Sequence, residues 1–300
     1  MPPAFPSFKL LELSDQAAIE AVTRRYPPYS DLEFGSLWSW NVKGEIAWSL
    51  AGETLVFRLT DYDTGRPFLT FLGEGRGVTE DLLALSTASG WGATLRLVPE
   101  ASALTLDPAH FAIEESRDHF DYVYDLERYV TFAGGVLQTR RTYLNGFRRR
   151  YPGYVARPLD LGCSRVHAEI SALWRVWEDN RGESVPSERA AFTRFMEAQA
   201  HFDTIATGVF VGAALAAVDI SVLLPDGYGN CLFKKADIRF HGAYAALMHE
   251  TAKALLARDC TWLNCEQDLG LPGLRAAKLA FAPAGFLRKF SVRRAPSRSA

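Results

Sequence analysis

Cysteine is scarce in this sequence of 300 residues, which contains only Cys163, Cys231, Cys260 and Cys265. A small fold held together by disulfides needs a much higher density of cysteine, so that class is excluded. No Cys-x-x-Cys pair occurs, and the six histidines lack the spacing of zinc ligands, so we expect no bound metal. This use of cysteine favours the cytoplasm as the compartment.

Long hydrophobic runs are also missing. The longest, from Val209 to Val218, has ten residues and includes Gly212, whereas a helix that crosses a bilayer needs about 20. The opening residues MPPAFPSFKLLELSD lack the basic start and long apolar stretch of a signal peptide. We therefore expect no transmembrane segment.

Common catalytic signatures are absent as well. The sequence has no Gly-x-Ser-x-Gly elbow, no phosphate-binding P-loop and no His-Glu-x-x-His pair. The glycine-rich stretch Gly73–Gly77 does not fit a Rossmann pattern and indicates a flexible turn.

The charge of the chain is small overall but unevenly distributed. Hydrophobic residues make up 48% of the sequence, enough for a sizeable core, and the net charge is −2. Residues 1–137 carry 10 Lys and Arg against 20 Asp and Glu, whereas residues 138–300 carry 23 against 15, so their net charges are −10 and +8. An anionic partner, nucleic acid included, is therefore expected at the second part of the chain.

The hydrophobic pattern predicts two successive α+β units. In the first, a helix over Ser14–Arg25 precedes a meander of strands over residues 35–72, a helix over Thr79–Ser89 and a strand over Ala93–Val98. We expect domains at residues 1–115 and 116–292, followed by a disordered basic tail at 293–300.

The second unit repeats this order with longer elements. We predict helices over Val166–Trp177 and Phe192–Met196, strands near 205–211 and 213–224, a strand over Cys231–Asp237, a helix over Phe240–Leu256, a strand over Thr261–Cys265, a short helix after Pro272 and a strand over Phe286–Val292. The strands on either side of the helix over Phe240–Leu256 should be parallel, with a right-handed crossover.

Polar side chains converge after the last strand of that crossover. Alternate residues of a strand point the same way, so Asn264 and Glu266 share a face that leads on to Asp268. Arg275 and Lys278 follow, one turn apart on the next predicted helix. Ligands of open α/β sheets bind outside the carboxyl ends of parallel strands, which favours a binding site here. The alternative is a surface loop of mutually compensating ion pairs.

Other candidate residues precede this segment. Lys235 and Asp237 share a face of the strand before the crossover helix. The loop from Arg239 to Tyr244 partly matches the R/Q-x-x-G-x-G/A loop of CoA-dependent acetyltransferases, so backbone N–H groups near Gly242 would receive a pyrophosphate.

A basic cluster lies near the middle of the chain. Its members fall within eleven positions and are Arg140, Arg141, Arg148, Arg149 and Arg150. Arginine binds phosphates through its planar fork, so the cluster is a candidate phosphate-binding surface. The alternative is an ordinary solvated face.

Groups of residues spread over nearly the whole chain form one recognisable pattern. They are Ser30-Asp31 with Phe34 and Trp40, RDHFDYVYD at 117–125, Arg140-Arg141 with Asn145 and Phe147, KKAD at 234–237 before Gly242 and Tyr244, and NCEQDLGLPGLRAAKLAFAP at 264–283 with Lys289. Together they resemble a bacterial family that includes the catalytic domain of lysyl-phosphatidylglycerol synthases.

This resemblance implies an α+β, tandem GNAT-like (acyl-CoA N-acyltransferase-like) fold with two mixed sheets flanked by helices. It also implies an aminoacyltransferase that uses aminoacyl-tRNA as its donor, without a cofactor. The acceptor would be a hydroxyl or amine of a lipid, such as one resembling phosphatidylglycerol, or of a small molecule. We accordingly expect a cytoplasmic protein that can contact the inner face of the membrane.

Roles for individual residues follow from the same resemblance. The expected catalytic residues are Asp237, Glu266, Asp268 and Lys235. The carboxylate of Asp237, Glu266 or Asp268 would hold the α-ammonium group of the aminoacyl donor or act as the base. The expected substrate-binding residues are Asn264, Arg275, Lys278, Arg239 and Gly242. The expected tRNA- or phosphate-binding residues are Arg140, Arg141, Arg148, Arg149 and Arg150.

Two other functions stay open, one supported by the fold and the loop from Arg239 to Tyr244, the other by departures from the family pattern. The segment Gly135–Thr139 stands where the family is richer in Lys and His, and Lys234 stands where an acid is common. The sequence has no counterpart of the membrane-spanning flippase region of the lipid synthases. The alternatives are a GNAT-type N-acyltransferase that uses a CoA thioester, and a non-catalytic binding module on the same fold.

Overall fold

The computed structural model of the chain describes residues 2–61, 64–181 and 186–296. It divides into two compact units. Unit 1 consists of Met1–Asp121, Gln267–Gly270 and Leu287–Ala300, and unit 2 consists of Tyr122–Glu266 and Leu271–Phe286. Within the described residues, no helix combines the length and the hydrophobicity that a membrane span requires.

The helices lie in both units. The α-helices are α1 (Gln16–Thr23), α2 (Phe34–Trp40), α3 (Thr79–Ala88), α4 (Glu100–Ala103), α5 (Glu127–Thr131), α6 (Gln138–Arg150), α7 (Ser164–Arg181), α8 (Pro186–Ala198), α9 (Ala243–Leu256) and α10 (Pro272–Leu279). Short 3₁₀ helices cover Leu13–Asp15, Ser30–Leu32, Arg117–His119, Gly135–Leu137 and Gln199–His201.

The strands form three sheets among the described residues. They are β1 (Lys9–Leu10), β2 (Ala47–Ala51), β3 (Thr54–Thr60), β4 (Pro67–Leu72), β5 (Leu95–Pro99), β6 (Phe111–Glu115), β7 (Asp121–Asp125), β8 (Val155–Pro158), β9 (Thr204–Val211), β10 (Ala214–Leu224), β11 (Tyr228–Ala236), β12 (Trp262–Asn264), β13 (Gly285–Leu287) and β14 (Lys289–Arg294).

Unit 1 contains two antiparallel sheets. One has the strand order β1-β2-β3-β4, in which Leu55 lies opposite both Leu50 and Leu72. The other has the order β5-β14-β6, in which Val292 lies opposite Leu95 and Ile113. Unit 1 is discontinuous in sequence because β14, near the end of the chain, pairs with β5 and β6.

Unit 2 is built on a seven-stranded sheet with the order β13-β7-β12-β11-β10-β9-β8. Strands β11 and β12 are parallel, with Asn230 opposite Asn264, and α9 connects them. The predicted parallel pair is thus confirmed. Strand β10 is antiparallel to both β11 and β9, and β12 is antiparallel to β7.

Helices cover both faces of the seven-stranded sheet. On one face, Met248 of α9 contacts Lys234 of β11. On the other, Trp174 and Trp177 of α7 contact Lys235, the next residue of the same strand. Successive residues of a strand point to opposite faces, so α7 and α9 lie on opposite sides of the sheet.

The α+β class is confirmed, and the predicted meander is present as β2, β3 and β4. The prediction is wrong at its start, where residues 35–40 belong to α2 instead of a strand. Phe34 and Leu37, one helical turn apart, are both buried, and the Ser39 hydroxyl donates a 2.6 Å hydrogen bond to the Gly35 carbonyl oxygen. A burial spacing of three residues fits a helix, and the alternating pattern does not extend to this segment.

The end of the chain also differs from the prediction. The single strand predicted over Phe286–Val292 is two strands, β13 and β14, which belong to different sheets. In the predicted disordered tail, Arg293 and Arg294 are part of β14 and pair with residues of β6. Their side chains bind Glu114 and Glu80, which explains their order. Residues 297–300 of this tail lie outside the described residues.

Candidate active site

The candidate active site lies in unit 2, where the parallel strands β11 and β12 stop pairing. Their register ends with Asn230 opposite Asn264, but β11 continues to Ala236. Strand β12 ends at Asn264, and Cys265 and Glu266 follow it. Ligands of open α/β sheets bind at such carboxyl ends of parallel strands. The polar segment that the sequence singles out therefore begins at the expected edge of the sheet.

Lys234 of β11 is a cation near the end of β12. Its Nζ lies 3.1 Å from Asp219 Oδ2 of β10, 3.8 Å from Cys265 Sγ and 3.7 Å from Met248 Sδ. Burial acts to lower the pKa of Lys234, but the charges of Cys231, Cys265 and Asp219 outweigh it and raise the pKa above its ordinary value. Lys234 is therefore positively charged in the resting structure, next to the Cys265 sulfur.

Cys265 is partly exposed and has an acidic thiol. Contact with the Cys231 thiol, together with the positive charges of Lys234 and Lys278, lowers the pKa of Cys265 to about 7 against the effect of burial. The same contact and burial raise the pKa of Cys231, whose Sγ lies 3.3 Å from Asp219 Oδ2. Cys265 is therefore more acidic than an ordinary cysteine, and the thiolate is the reactive form of cysteine.

Lys278 approaches Cys265 from α10. Its Nζ donates a hydrogen bond to the Cys265 carbonyl oxygen and lies 5.5 Å from the centre of the Tyr122 ring. The Lys278 carbonyl oxygen accepts a 2.9 Å hydrogen bond from the Tyr124 hydroxyl. Arg275, one turn earlier on α10, is half-buried. Lys278 thus lies beside the end of β12, as the spacing predicts, and its role in substrate binding stays a prediction.

Asn264 shapes the backbone at the end of β12. Its side chain is fully buried, and its Oδ1 accepts a 2.7 Å hydrogen bond from the Glu266 N–H. Glu266 has a φ of 58°, which is uncommon for a residue with a side chain, and its carbonyl oxygen accepts a hydrogen bond from the Tyr122 N–H. Asn264 therefore holds Glu266 in this left-handed turn.

Lys235 and Asp237 lie on the opposite face of β11 from Lys234. Lys235 Nζ is 2.6 Å from Glu188 Oε1 and 3.8 Å from the centre of the Trp177 ring. Asp237 accepts hydrogen bonds from the Arg239 side chain at 2.7–2.9 Å. The structure therefore keeps these predicted site residues together, but on the α7 face of the sheet and away from Cys265.

Asp268 belongs to unit 1, whereas the other residues predicted with it belong to unit 2. It is fully buried, with its Oδ2 3.2 Å from Arg117 Nη1 and its Oδ1 accepting the Gly270 N–H. Removal of one partner from a buried pair of this kind is costly, because it leaves a buried charge uncompensated. The catalytic role of Asp268 stays a prediction.

Other residues of the family pattern form a buried network in unit 1. Lys289 Nζ lies 2.6 Å from Asp121 Oδ1 and also binds Asp31, while the Ser30 hydroxyl donates to Asp121 at 2.6 Å. Burial acts to lower the pKa of Lys289, but Asp121 and Asp31 raise it above its ordinary value. This network gives Ser30, Asp31 and Lys289, which are far apart in the sequence, a structural role in the core of unit 1.

Three N–H groups of the loop that resembles the CoA-binding loop form hydrogen bonds within the chain. The N–H groups of Arg239 and Phe240 bond to Asp237, and the N–H of Ala243 bonds to the Phe240 carbonyl oxygen. Gly242 has a φ of 91°, and a Cβ atom there would lie 2.5 Å from the Tyr143 carbonyl oxygen. Glycine at this position is therefore explained by the close packing of α9 on α6.

The arginines of α6 have different surroundings. Arg149 and Arg150 are exposed, as is Arg148, whose Nη2 lies 2.8 Å from His249 Nε2. Arg140 and Arg141 are partly buried: Arg140 lies 4.9 Å from the centre of the Tyr143 ring and 5.2 Å from that of Phe281, and Arg141 donates to the Phe132 carbonyl oxygen. The exposed end of α6 is thus the part that can meet an anionic partner.

Asp219, Cys231 and Cys265 are site residues that the sequence reasoning missed, and Lys234 appeared there only as a departure from the family pattern. An acid inside the apolar run of β10 and the Lys-Lys pair of β11 were the available signals. They meet only because the sheet places β10, β11 and β12 side by side.

A family model described as phosphatidylglycerol lysyltransferase, C-terminal, matches residues 23–293. No curated protein sequence matches the chain significantly.

Solved structures resemble the chain over nearly its full length. A conserved protein of unknown function from Bacteroides thetaiotaomicron is 24% identical, with a TM-score of 0.81 over 98% of this chain and 100% of that chain. L-PGS from Bacillus licheniformis is 14% identical, with a TM-score of 0.60 over 87% of each chain. A tandem GNAT protein from the clavulanic acid biosynthesis pathway is 14% identical, with a TM-score of 0.51 over 97% of this chain and 99% of that chain. The expected tandem GNAT-like fold is confirmed.

Proposed function

The chain belongs to the phosphatidylglycerol lysyltransferase C-terminal family, and on this premise we propose that it moves an aminoacyl group from aminoacyl-tRNA to a hydroxyl or amine acceptor. The observation that carries the proposal is the family match, which spans residues 23–293. Membership of this family supports transferase activity. The identities of the donor and the acceptor are the parts of the proposal that the experiments below test.

The charge distribution supports a tRNA donor. The net charge of residues 138–300 is +8, and Arg148, Arg149 and Arg150 are exposed at the end of α6. Arginines on one helix end bind phosphates without reading sequence, and they release counterions as they do so. Binding of tRNA is therefore expected to weaken steeply as the salt concentration rises.

The cations of unit 2 suit the chemistry of the transfer. An aminoacyl ester is already activated, so much of the catalysis comes from alignment of the ester with the acceptor. The tetrahedral intermediate carries a negative oxygen, which nearby positive charges or N–H donors stabilise. Lys234 and Lys278 bring two ammonium groups to the end of β12, where they are suited to this task.

A lipid acceptor is supported by the surface of α10. Leu271, Leu274 and Leu279 are 44%, 37% and 45% exposed, and Arg275 and Lys278 lie on the same helix. Exposed leucines beside cations suit an acceptor with an apolar tail and an anionic headgroup. We therefore propose a lipid of the phosphatidylglycerol type, reached by peripheral contact with the membrane.

The test is transfer by the purified chain from a mixture of charged, radiolabelled tRNAs. One arm contains vesicles with phosphatidylglycerol, one contains vesicles of phosphatidylcholine alone, and one contains a water-soluble metabolite extract. We expect label in the lipid phase of the first arm only. Label in a soluble product would keep the donor and replace the acceptor, and an intact aminoacyl ester in every arm would refute the proposal.

A CoA-dependent N-acyltransferase is the second candidate, because α9 begins with a loop that resembles the CoA-binding loop. The internal hydrogen bonds of Arg239, Phe240 and Ala243 disfavour it, since a pyrophosphate would need such donors. An acetyl-CoA arm with amine acceptors decides between them. Turnover of acetyl-CoA together with inert aminoacyl-tRNA would establish this alternative.

A non-catalytic binding module is the third candidate. It is favoured by the ion pairs that engage charged residues of the proposed site, Lys234 with Asp219 and Lys235 with Glu188. Binding of tRNA or lipid without turnover in any arm would establish it.

A further inference from the structure

The thiol of Cys265 occupies a position suited to a nucleophile. It is the first residue after β12, at the carboxyl end of the parallel pair, and it is partly exposed. The other cysteines lie elsewhere in the fold or are less accessible: Cys231 and Cys260 are buried, and Cys163 immediately precedes α7. Among these cysteines, Cys265 is thus the partly exposed one at the expected location of the site.

Two lysines contact Cys265, one at its sulfur and one at its backbone. Lys234 Nζ lies 3.8 Å from Cys265 Sγ and is held there by Asp219, 3.1 Å away on β10. Lys278 Nζ binds the carbonyl oxygen of Cys265 itself. Next to them, Cys231 lies on the neighbouring strand, and its thiol helps to hold the pKa of Cys265 at about 7. A thiolate with adjacent cations is the arrangement of an activated cysteine nucleophile.

We infer that Cys265 is a catalytic nucleophile that takes the aminoacyl group from the donor ester and passes it to the acceptor. The inference rests on the proposed aminoacyl transfer and adds a covalent step to it. A direct attack by the acceptor on the ester, with no enzyme-bound acyl group, is the mechanism that it replaces.

The two steps balance in atoms and protons. In the first, the Cys265 sulfur attacks the ester carbonyl carbon, a C–S bond forms, and the C–O bond to the terminal ribose of the tRNA breaks. The ribose oxygen leaves with a proton from the Lys234 ammonium group. In the second, the acceptor hydroxyl or amine attacks the thioester, its proton returns to Lys234, and the C–S bond breaks to restore the thiolate.

The first experiment detects the acyl-enzyme without tRNA. The wild-type chain is mixed with p-nitrophenyl acetate, and the release of p-nitrophenolate is followed by stopped flow. We expect a burst close to one equivalent, with the acetyl group on the Cys265 peptide in mass spectra of the acid-quenched protein. The burst should be lost in Cys265→Ser and retained in Cys163→Ser, the control variant. No burst, or acetylation at another residue, would overturn the inference.

The second experiment measures the transfer itself. We expect Cys265→Ser and Cys265→Ala to lower the transfer rate at least about 100-fold, while tRNA binding and the unfolding midpoint stay close to those of the wild type. Wild-type transfer rates in these variants would refute the covalent step and leave the proposed function intact. Absence of transfer in the wild type refutes the proposed function instead, and the burst experiment then still decides whether Cys265 is a nucleophile.

Discussion

At the scale of single residues, the neighbouring lysines Lys234 and Lys235 differ in surroundings because they lie on opposite faces of the same strand. Lys234 contacts Asp219 and Cys265 on the α9 side of the sheet, whereas Lys235 contacts Glu188 and the tryptophans of α7 on the other side. Of these two lysines, only Lys234 contacts the Cys265 sulfur. The pair therefore offers an internal control for electrostatic effects on that thiol.

The substitution Lys234→Met should raise the pKa of Cys265 from about 7 toward its ordinary value, because it removes a positive charge next to the sulfur. The rate of alkylation by iodoacetamide, followed at the Cys265 peptide by mass spectrometry as a function of pH, measures this shift. Lys235→Met, on the opposite face, should leave the midpoint of the pH curve unchanged. Equal shifts in both variants would contradict this assignment.

Glu33 is a buried carboxyl group of unit 1 whose pKa is raised, whereas that of Cys265 is lowered. Burial, together with the charges of Glu20 and Asp121, raises the pKa of Glu33 from 4.5 to about 8. The folded state therefore binds this proton more tightly than the unfolded state does. The contribution of Glu33 is most favourable below the unfolded pKa and is lost as the pH rises toward the folded pKa.

The variant Glu33→Gln should remove that dependence. Relative to it, the wild type should lose stability as the pH rises from about 4.5 to about 8, by at most about 1.4 kcal/mol per pH unit. Urea unfolding of both proteins across this range gives the difference. Glu53→Gln, at an exposed position, is the control. A difference between wild type and Glu33→Gln that does not change with pH would show that Glu33 is charged in the folded state.

At the scale of elements, α6 and α9 pack so closely that one glycine is required between them. Gly242 precedes α9 with a φ of 91°, and the nearest atom to an added Cβ would be the Tyr143 carbonyl oxygen at 2.5 Å. Gly146, which lies within α6, has no atom within 4 Å of an added Cβ. The two glycines thus make a matched pair for the same substitution.

We expect Gly242→Ala to lower the free energy of unfolding by about 1–3 kcal/mol, because a backbone atom must move and the left-handed φ disfavours a side chain. Gly146→Ala should instead stabilise the chain by up to about 1 kcal/mol, since alanine is the better helix former. Chemical unfolding of the two variants provides the comparison. A stable Gly242→Ala variant would mean that α9 can withdraw from α6.

The exposed end of α6 carries a second prediction for this scale. The double variant Arg149→Ala/Arg150→Ala should weaken tRNA binding and reduce the slope of log K against log salt by about 0.7–0.9 for each phosphate that is no longer neutralised. Binding titrations at several salt concentrations measure this slope. Arg165→Ala removes an exposed arginine of α7, which pairs with Glu169, and should change neither quantity. Identical slopes in all three proteins would place the tRNA surface elsewhere.

At the scale of the whole molecule, segments from both ends of the chain build unit 1. Lys289 of β14 binds Asp31 and Asp121, which lie far away in the sequence, and all three side chains are buried. Gln267 Nε2 also donates to Asp31, at 2.8 Å. Unit 1 therefore cannot complete its buried network until the last strand is in place.

Lys289→Met should destabilise the chain by about 3–5 kcal/mol, because it leaves two buried carboxylates without their cation. Thermal and urea unfolding provide the measurement. Arg25→Met, which breaks the exposed pair with Glu53, should have little effect on either. A Lys289→Met variant as stable as the wild type would show that the network contributes specificity of packing and no net stability.

The extent of successful prediction differs between fold and site. Hydrophobic periodicity located most helices and the crossover from β11 through α9 to β12, because these signals are local. The three-stranded sheet was not predicted, since its pairing joins β5, β6 and β14 from distant parts of the chain. Lys278 and Asn264 were found beside the strand end because they lie close to it in the sequence. Asp268 was grouped with them by its position in the sequence, although it belongs to unit 1.

The sequence by itself determined the α+β class, the division of charge along the chain and the family, because composition, periodicity and motif spacing are properties of the chain itself. Only the tertiary structure decided which charged groups meet. The register of β10, β11 and β12 brings Asp219, Lys234 and Cys265 together on one face and turns Lys235 and Asp237 to the other. A pKa depends on burial and on the distance to nearby charges. The low pKa of the Cys265 thiol therefore follows from this register, and it cannot be predicted from the residues next to Cys265 in the sequence.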